Sequence, residues 1–141
     1  MIVTEVPADT AFVIRPKIED TIKRGCDASL GTHTPDSLFS RIKDGTCFLL
    51  IAGENKEVTA LGAISIMSYP GGLNAILIEL LEGSSDGRSA IREYVERAAL
   101  RAGANAVLYY ANKRQEKRLK DGGYRAAKSL MMKELPHAIP A

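Results

Sequence analysis

The stretch NAILIELLEGSSDGRSAIREYVERAALRAGANAVLYYANKRQEKRLKDGGY, Asn74 to Tyr124, decides the fold. Leu73–Leu81 reads as a strand, entered from the turn Tyr69–Gly72. Ser89–Ala102 sets Ile91, Tyr94, Val95, Ala98, Ala99 and Ala102 at three/four spacing, with Arg and Glu between them, the pattern of an amphipathic helix. Gly103 is positioned to cap it. Ala104–Ala111 is a buried strand, and Asn112–Asp121 a short polar helix stopped by Gly122-Gly123.

Upstream, Ile2–Val6 alternates and stops at Pro7, a short first strand. Asp9 or Thr10 can cap a helix to about Arg24, with Phe12, Val13, Ile18 and Ile22 near one face. Pro16 kinks or splits that helix, and Gly25 to His33 is loop. Thr34-Pro35 starts a helix whose apolar side is Leu38, Phe39 and Ile42, ending at Gly45. Cys47–Ala52, Val58–Ser68 and Leu73–Leu81 follow as three strands, with turns at Gly53–Lys56 and Tyr69–Gly72, so short that the strands form an antiparallel meander. Ala126–Leu135 reads as a last strand, stopped by Pro136. A strand–helix–strand unit joined to a meander gives an α/β fold: a mixed, mostly antiparallel sheet of about six strands flanked by about four helices.

The chain has 141 residues, 45% of them hydrophobic and 26% charged, which fits one domain with a core that needs no disulfides. A net charge of +2 does not by itself indicate nucleic acid or an anionic membrane. Cys26 and Cys47 form no CxxC and have no His at ligand spacing, so no metal is expected. No apolar run approaches the ~20 residues of a membrane span, and the first residues, MIVTEVPADT, lack the character of a secretion signal. The expected location is cytoplasm or a larger assembly.

This order of elements resembles the GCN5-related N-acetyltransferase (GNAT) fold over nearly the whole chain, as a single domain spanning residues 1–141. Locally, Asn112, Gly123 and Tyr124 stand in register with a family pattern whose Ala and Tyr positions hold Gln115 and Leu119 here. A closer resemblance is to small GNAT-like proteins of tailed phages. It rests on Gly45–Leu50, Tyr69-Pro70, Arg118-Leu119 through Gly123-Tyr124, and the ending on a single strand, Leu130–Leu135.

The resemblance implies sites that can be tested against the residues. GNAT enzymes hold the coenzyme A pyrophosphate on backbone amides before the main helix, in a loop Gln/Arg-x-x-Gly-x-Gly/Ala. Here the loop is Glu82–Ser89, and neither register of it restores the motif. If coenzyme A binds, Gly83, Ser84, Gly87, Arg88 and Asn112 are the expected contacts; otherwise Ser85 or Asp86 simply caps the helix and Arg88 is solvated. Glu82 and Asp86 add carboxylates beside any phosphate. Leu119 stands where many members carry a proton-donating Tyr, leaving Tyr109 and Tyr110 as substitute acids; strand alternation sends one of them into the sheet face and the other away. Glu79 is the candidate general base. His33 and His137 are expected to be solvated. Lys113, Arg114, Lys117, Arg118 and Lys120 form either a solvated helix or a positive surface for an acidic partner, and Leu130-Met131-Met132 is a candidate sheet edge for a partner to cover. With two parts of the catalytic apparatus altered, the expectation is a non-catalytic, phage-type structural or virion-associated protein without cofactor, located in a virion or host cytoplasm, with protein partners in an assembly or self-association. The alternative is an acetyl-coenzyme A-dependent N-acetyltransferase with a divergent loop.

Overall fold

The structure is a computed structural model that describes residues 1–29, 31–111, 113–128 and 131–136. The chain divides into two compact units, Met1–Tyr110 and Ala111–Ala141. In the first, β1 (Ile2–Val6), β2 (Phe48–Glu54), β3 (Glu57–Ser68), β4 (Asn74–Gly83) and β5 (Ala106–Tyr109) form one sheet in the order β1-β2-β3-β4-β5. Neighbours are antiparallel as far as β4, and β4 and β5 are parallel. Helices α1 (Ala8–Asp27) and α2 (Pro35–Asp44) bury Ile18, Ile22, Leu38, Phe39 and Ile42 against one face, with Leu49, Leu61 and Leu80. Helix α3 (Ser85–Ala102) buries Ile91, Val95 and Ala99 against the other, with Leu50, Ile78 and Leu81.

Local chemistry fixes most of these boundaries. Thr34 and Ser37 form a capping box, Ser37 N–H donating to Thr34 Oγ1 at 3.1 Å and Thr34 N–H to Ser37 Oγ at 2.9 Å. Gly45 and Gly103 close α2 and α3 in the left-handed conformation. The β2–β3 hairpin turns on Asn55 and Lys56, both with positive φ.

Several expectations need correction. Helix α1 runs unbroken through Pro16. The ring is on the exposed side, where water can serve the carbonyl it leaves unbonded. No side chain caps its start, so neither Asp9 nor Thr10 is the cap. The helix also continues past Arg24, because Cys26 extends the stripe of Ile18 and Ile22 and Gly25 lets α1 close on Leu80. A Cβ at Gly25 would lie 2.7 Å from that side chain. Helix α3 begins at Ser85, a turn earlier than the apolar periodicity suggests, and its cap is Ser84, not Ser85 or Asp86.

In the second unit, α4 (Lys113–Asp121) ends where Tyr124 N–H donates to Leu119 O at 2.9 Å around Gly123. The strand expected at Ala126–Leu135 is not present among the described residues of that range. A strand exists only by pairing, and no ladder takes up these residues; Met131, Met132 and Leu135 remain exposed. Among the described residues the sheet therefore has five strands, against the expected number of about six.

Candidate active site

The ladder between β4 and β5 is short. It pairs Ala75–Ile78 with Ala106–Tyr109, after which Leu80–Gly83 of β4 pair with β3 alone. The ladder ends at Ile78 because β5 itself ends at Tyr109. Open α/β sheets take ligands at the carboxyl ends of their parallel strands, and α3 follows β4 in the chain, with the partial positive charge of a helix N-terminus.

Glu79 is the first residue of β4 past the ladder. It is also the extra residue of a β-bulge, since Ala63 pairs with Leu80 and Ile64 with Ile78. The bulge turns Glu79 and Leu80 to the same face, the one covered by α1 and α2. There the Glu79 carboxylate, its side chain only 8% exposed, accepts from Arg41 Nη1 at 2.7 Å and lies 3.2 Å from His33 Nε2 through the same oxygen, Oε1. Burial opposes the charge, but the hydrogen bonds of Arg41 and His33 outweigh it and hold the carboxyl below its usual range. Oε2 and the Ser65 hydroxyl are both buried and make no hydrogen bond of good geometry, although the hydroxyl is near enough to help stabilise the charge. Burial, and then the Glu79 charge, push the neighbouring Cys47 thiol up to about 11, so it stays protonated and unreactive. Glu79 is thus a fixed, charged carboxylate held between β4 and the α1–α2 side.

The α3 N-terminus is built mainly for packing. Ser84 N–H donates to Thr59 O at 2.9 Å, Gly87 N–H to Ser84 Oγ at 3.0 Å and Arg88 N–H to Ser84 O at 2.9 Å. Three amides of the expected phosphate cradle are therefore already engaged. A Cβ on Gly87 would come within 2.5 Å of Ala60 Cβ, so that glycine permits contact with β3, not approach of a phosphate. Gly83, at φ +125°, is required by the same contact. The Asp86 amide sits in the first turn, where helical geometry supplies no acceptor, but its exposed carboxylate opposes an anion there. Arg88 is only partly solvated, and its Nε is buried without a partner. Glu82 is partly buried near the end of β4.

Tyr109 packs against the α3-side core while Tyr110 is 63% exposed, as strand alternation requires. Leu119 is buried. Asn112 and His137 lie outside the described residues. His33, expected to be solvated, instead has its ring 10% exposed against Glu79. Arg41 carried no signal in the sequence, because a lone arginine late in an amphipathic helix reads as solvated. Only the fold brings these groups together across 38 and 46 residues of chain. Among the described residues no group of three His, Cys, Asp or Glu is placed to hold a metal, and no helix is long and apolar enough to cross a membrane.

The sequence matches no family model and no curated protein. Solved structures do match the fold. A ribosomal-protein-alanine N-acetyltransferase from Brucella melitensis superposes with a TM-score of 0.69 at 12% identity, covering 96% of this chain and 100% of that one. A predicted acetyltransferase with acetyl-CoA from Clostridium acetobutylicum gives 0.67 at 14%, covering 97% and 99%. A GCN5-related N-acetyltransferase from Ralstonia eutropha gives 0.66 at 15%, covering 95% and 97%. The chain has the GNAT fold.

Proposed function

We propose that this protein transfers an acetyl group from acetyl-coenzyme A to an amine. The observation that carries this reading is the buried, ionised Glu79 just past the end of the β4–β5 ladder, on the strand that leads into the α3 N-terminus. A diphosphate at the loop would find the Ser84, Gly87 and Arg88 amides already engaged, so the other residues of the loop would have to hold it. Acetyl-coenzyme A would supply an activated acyl carbon. As the amine nitrogen bonds the carbonyl carbon and the C–S bond breaks, Glu79, kept ionised by Arg41, accepts an N–H of the acceptor and balances the positive charge on nitrogen, whose proton then leaves to water. Of the two tyrosines, Tyr110 is the exposed phenol suited to protonate the departing thiolate, since Tyr109 is committed to packing.

The engaged amides also favour a second reading, in which the fold is kept without catalysis, as in a phage-type structural component. The acetyltransferase names of the solved neighbours support the first. A melting curve with acetyl-coenzyme A separates the two: ligand at 100 times its dissociation constant stabilises by about 2.7 kcal/mol. A flat melting temperature at millimolar ligand refutes acetyl transfer.

A further inference from the structure

We propose that the second unit binds nucleic acid through its phosphates, with the exposed side of α4 as the contact surface. The chain's net charge of +2 hides a division. Ala111–Ala141 holds eight Lys and Arg against three Asp and Glu, a net of +5, while Met1–Tyr110 holds eleven against fourteen, a net of −3. In α4, Arg114, Lys117 and Lys120 follow at three-residue steps and are exposed, whereas Leu119, on the opposite side, is buried. Such steps set side chains along one face of a helix, here over about 9 Å of its axis at ~1.5 Å per residue. Among the described residues none of the three is in an ion pair. Carboxylates stand at the right spacing for one, Glu116 four residues before Lys120 and Asp121 four after Lys117. In the first unit, by contrast, Arg15 and Arg41 are both paired. The α4 cations thus stay available to an outside anion.

The character of this surface selects the partner. Protein interfaces are depleted in Lys and built around apolar or aromatic anchors, and the one apolar residue of α4, Leu119, is buried. A helix that lies on a membrane buries an apolar face, which α4 lacks for the same reason. Met131, Met132 and Leu135 are exposed, but they belong to no helix and form no such face. Nor does α4 carry an aromatic ring for a base to stack on. A row of hydrated cations remains, which suits a regular array of phosphates, so the binding is electrostatic and independent of base sequence. This surface stands apart from the acyl-transfer reading and does not depend on it.

The test is a salt titration of binding to a short, fluorescently labelled duplex DNA of arbitrary sequence, read by anisotropy. Each phosphate contact contributes a slope of about −0.9 to log K against log salt, so three give about −2.7, a loss of about fortyfold in affinity between ~50 and ~200 mM salt. Combining Arg114→Gln, Lys117→Gln and Lys120→Gln should flatten the slope by that amount. The melting temperature should not change, since the positions are exposed and Gln supports a helix. If the triple variant does not fold, Lys117→Gln alone should flatten the slope by about 0.9. Removing the same charge from the first unit with Lys17→Gln, Lys23→Gln and Lys43→Gln, all exposed, should leave the slope as it is. Equal weakening by the two triple variants overturns the proposal, because net charge alone then drives binding. No binding at ~50 mM salt overturns it as well. So does displacement of the duplex by acetyl-coenzyme A, which would assign the cations to the coenzyme's phosphates, or tighter binding to phosphatidylglycerol vesicles than to the duplex.

Discussion

Replacing Arg41 with Gln tests the electrostatics around Glu79 most directly. The substitution keeps most of the side chain's length but leaves the buried Glu79 carboxylate with His33 as its remaining cross-element partner. Removing one member of a fully buried pair costs about 3–5 kcal/mol. Arg41 is itself 36% exposed, so solvent already screens part of the interaction, and about 2 kcal/mol is the expected loss. For a chain of this length that is a fall of about 8 °C in melting temperature near pH 7. The pH dependence carries a sign. In the parent protein the folded-state pKa of Glu79 is depressed, so its contribution is present above the unfolded carboxyl value, about 4.3, and is lost as pH falls through the folded value. In the variant, burial is left to push that pKa upward, so protonation relieves the penalty as the solution is acidified. The gap between the two proteins must therefore narrow from pH 7 towards pH 4. A double-mutant cycle with Glu79→Gln should show coupling above ~1 kcal/mol. Calorimetry showing a gap independent of pH, or additive effects in the cycle, would refute the reasoning.

Three further outcomes are expected. Gly87→Ala places a Cβ 2.5 Å from Ala60 Cβ and should destabilise by about 1–3 kcal/mol through overpacking, read by denaturant titration; a neutral result would mean that α3 is not seated on β3 as described. Ser84→Ala removes the N-cap acceptor for Gly87 and should cost ~1 kcal/mol, and its freed amide should not weaken acetyl-coenzyme A binding, which isothermal calorimetry can check. Cys47, buried and pushed up to about 11, should resist a thiol reagent at neutral pH until the protein unfolds, with Cys26, also buried and raised, behaving alike. Rapid labelling of either in the native protein would contradict that packing.

Most of the scaffold was legible in the chain because it depends on local periodicity. Ile91, Val95 and Ala99 mark the buried stripe of α3, Thr34-Pro35 marks the start of α2, and Gly103 marks a helix end, each through interactions spanning a few residues. Where reading failed, something non-local decided. Helix α3 starts at Ser85 because the Thr59 carbonyl on another strand receives Ser84 N–H. The described residues among 126–135 form no strand, because composition supplies no partner.

The candidate site divides the same way. The resemblance to the GNAT fold pointed to Glu79 on its strand, and alternation separated Tyr109 from Tyr110. Sequence alone could not show that a bulge turns Glu79 and Leu80 to one face, since an inserted residue is defined only against the partner strand. Nor could it show that His33 and Arg41 converge on that carboxylate, or that Gly87 serves packing. Periodicity fixes which face a residue occupies within its own element. Only the assembled sheet and helices fix which charges meet at Glu79, because that depends on distances between elements that no local rule contains.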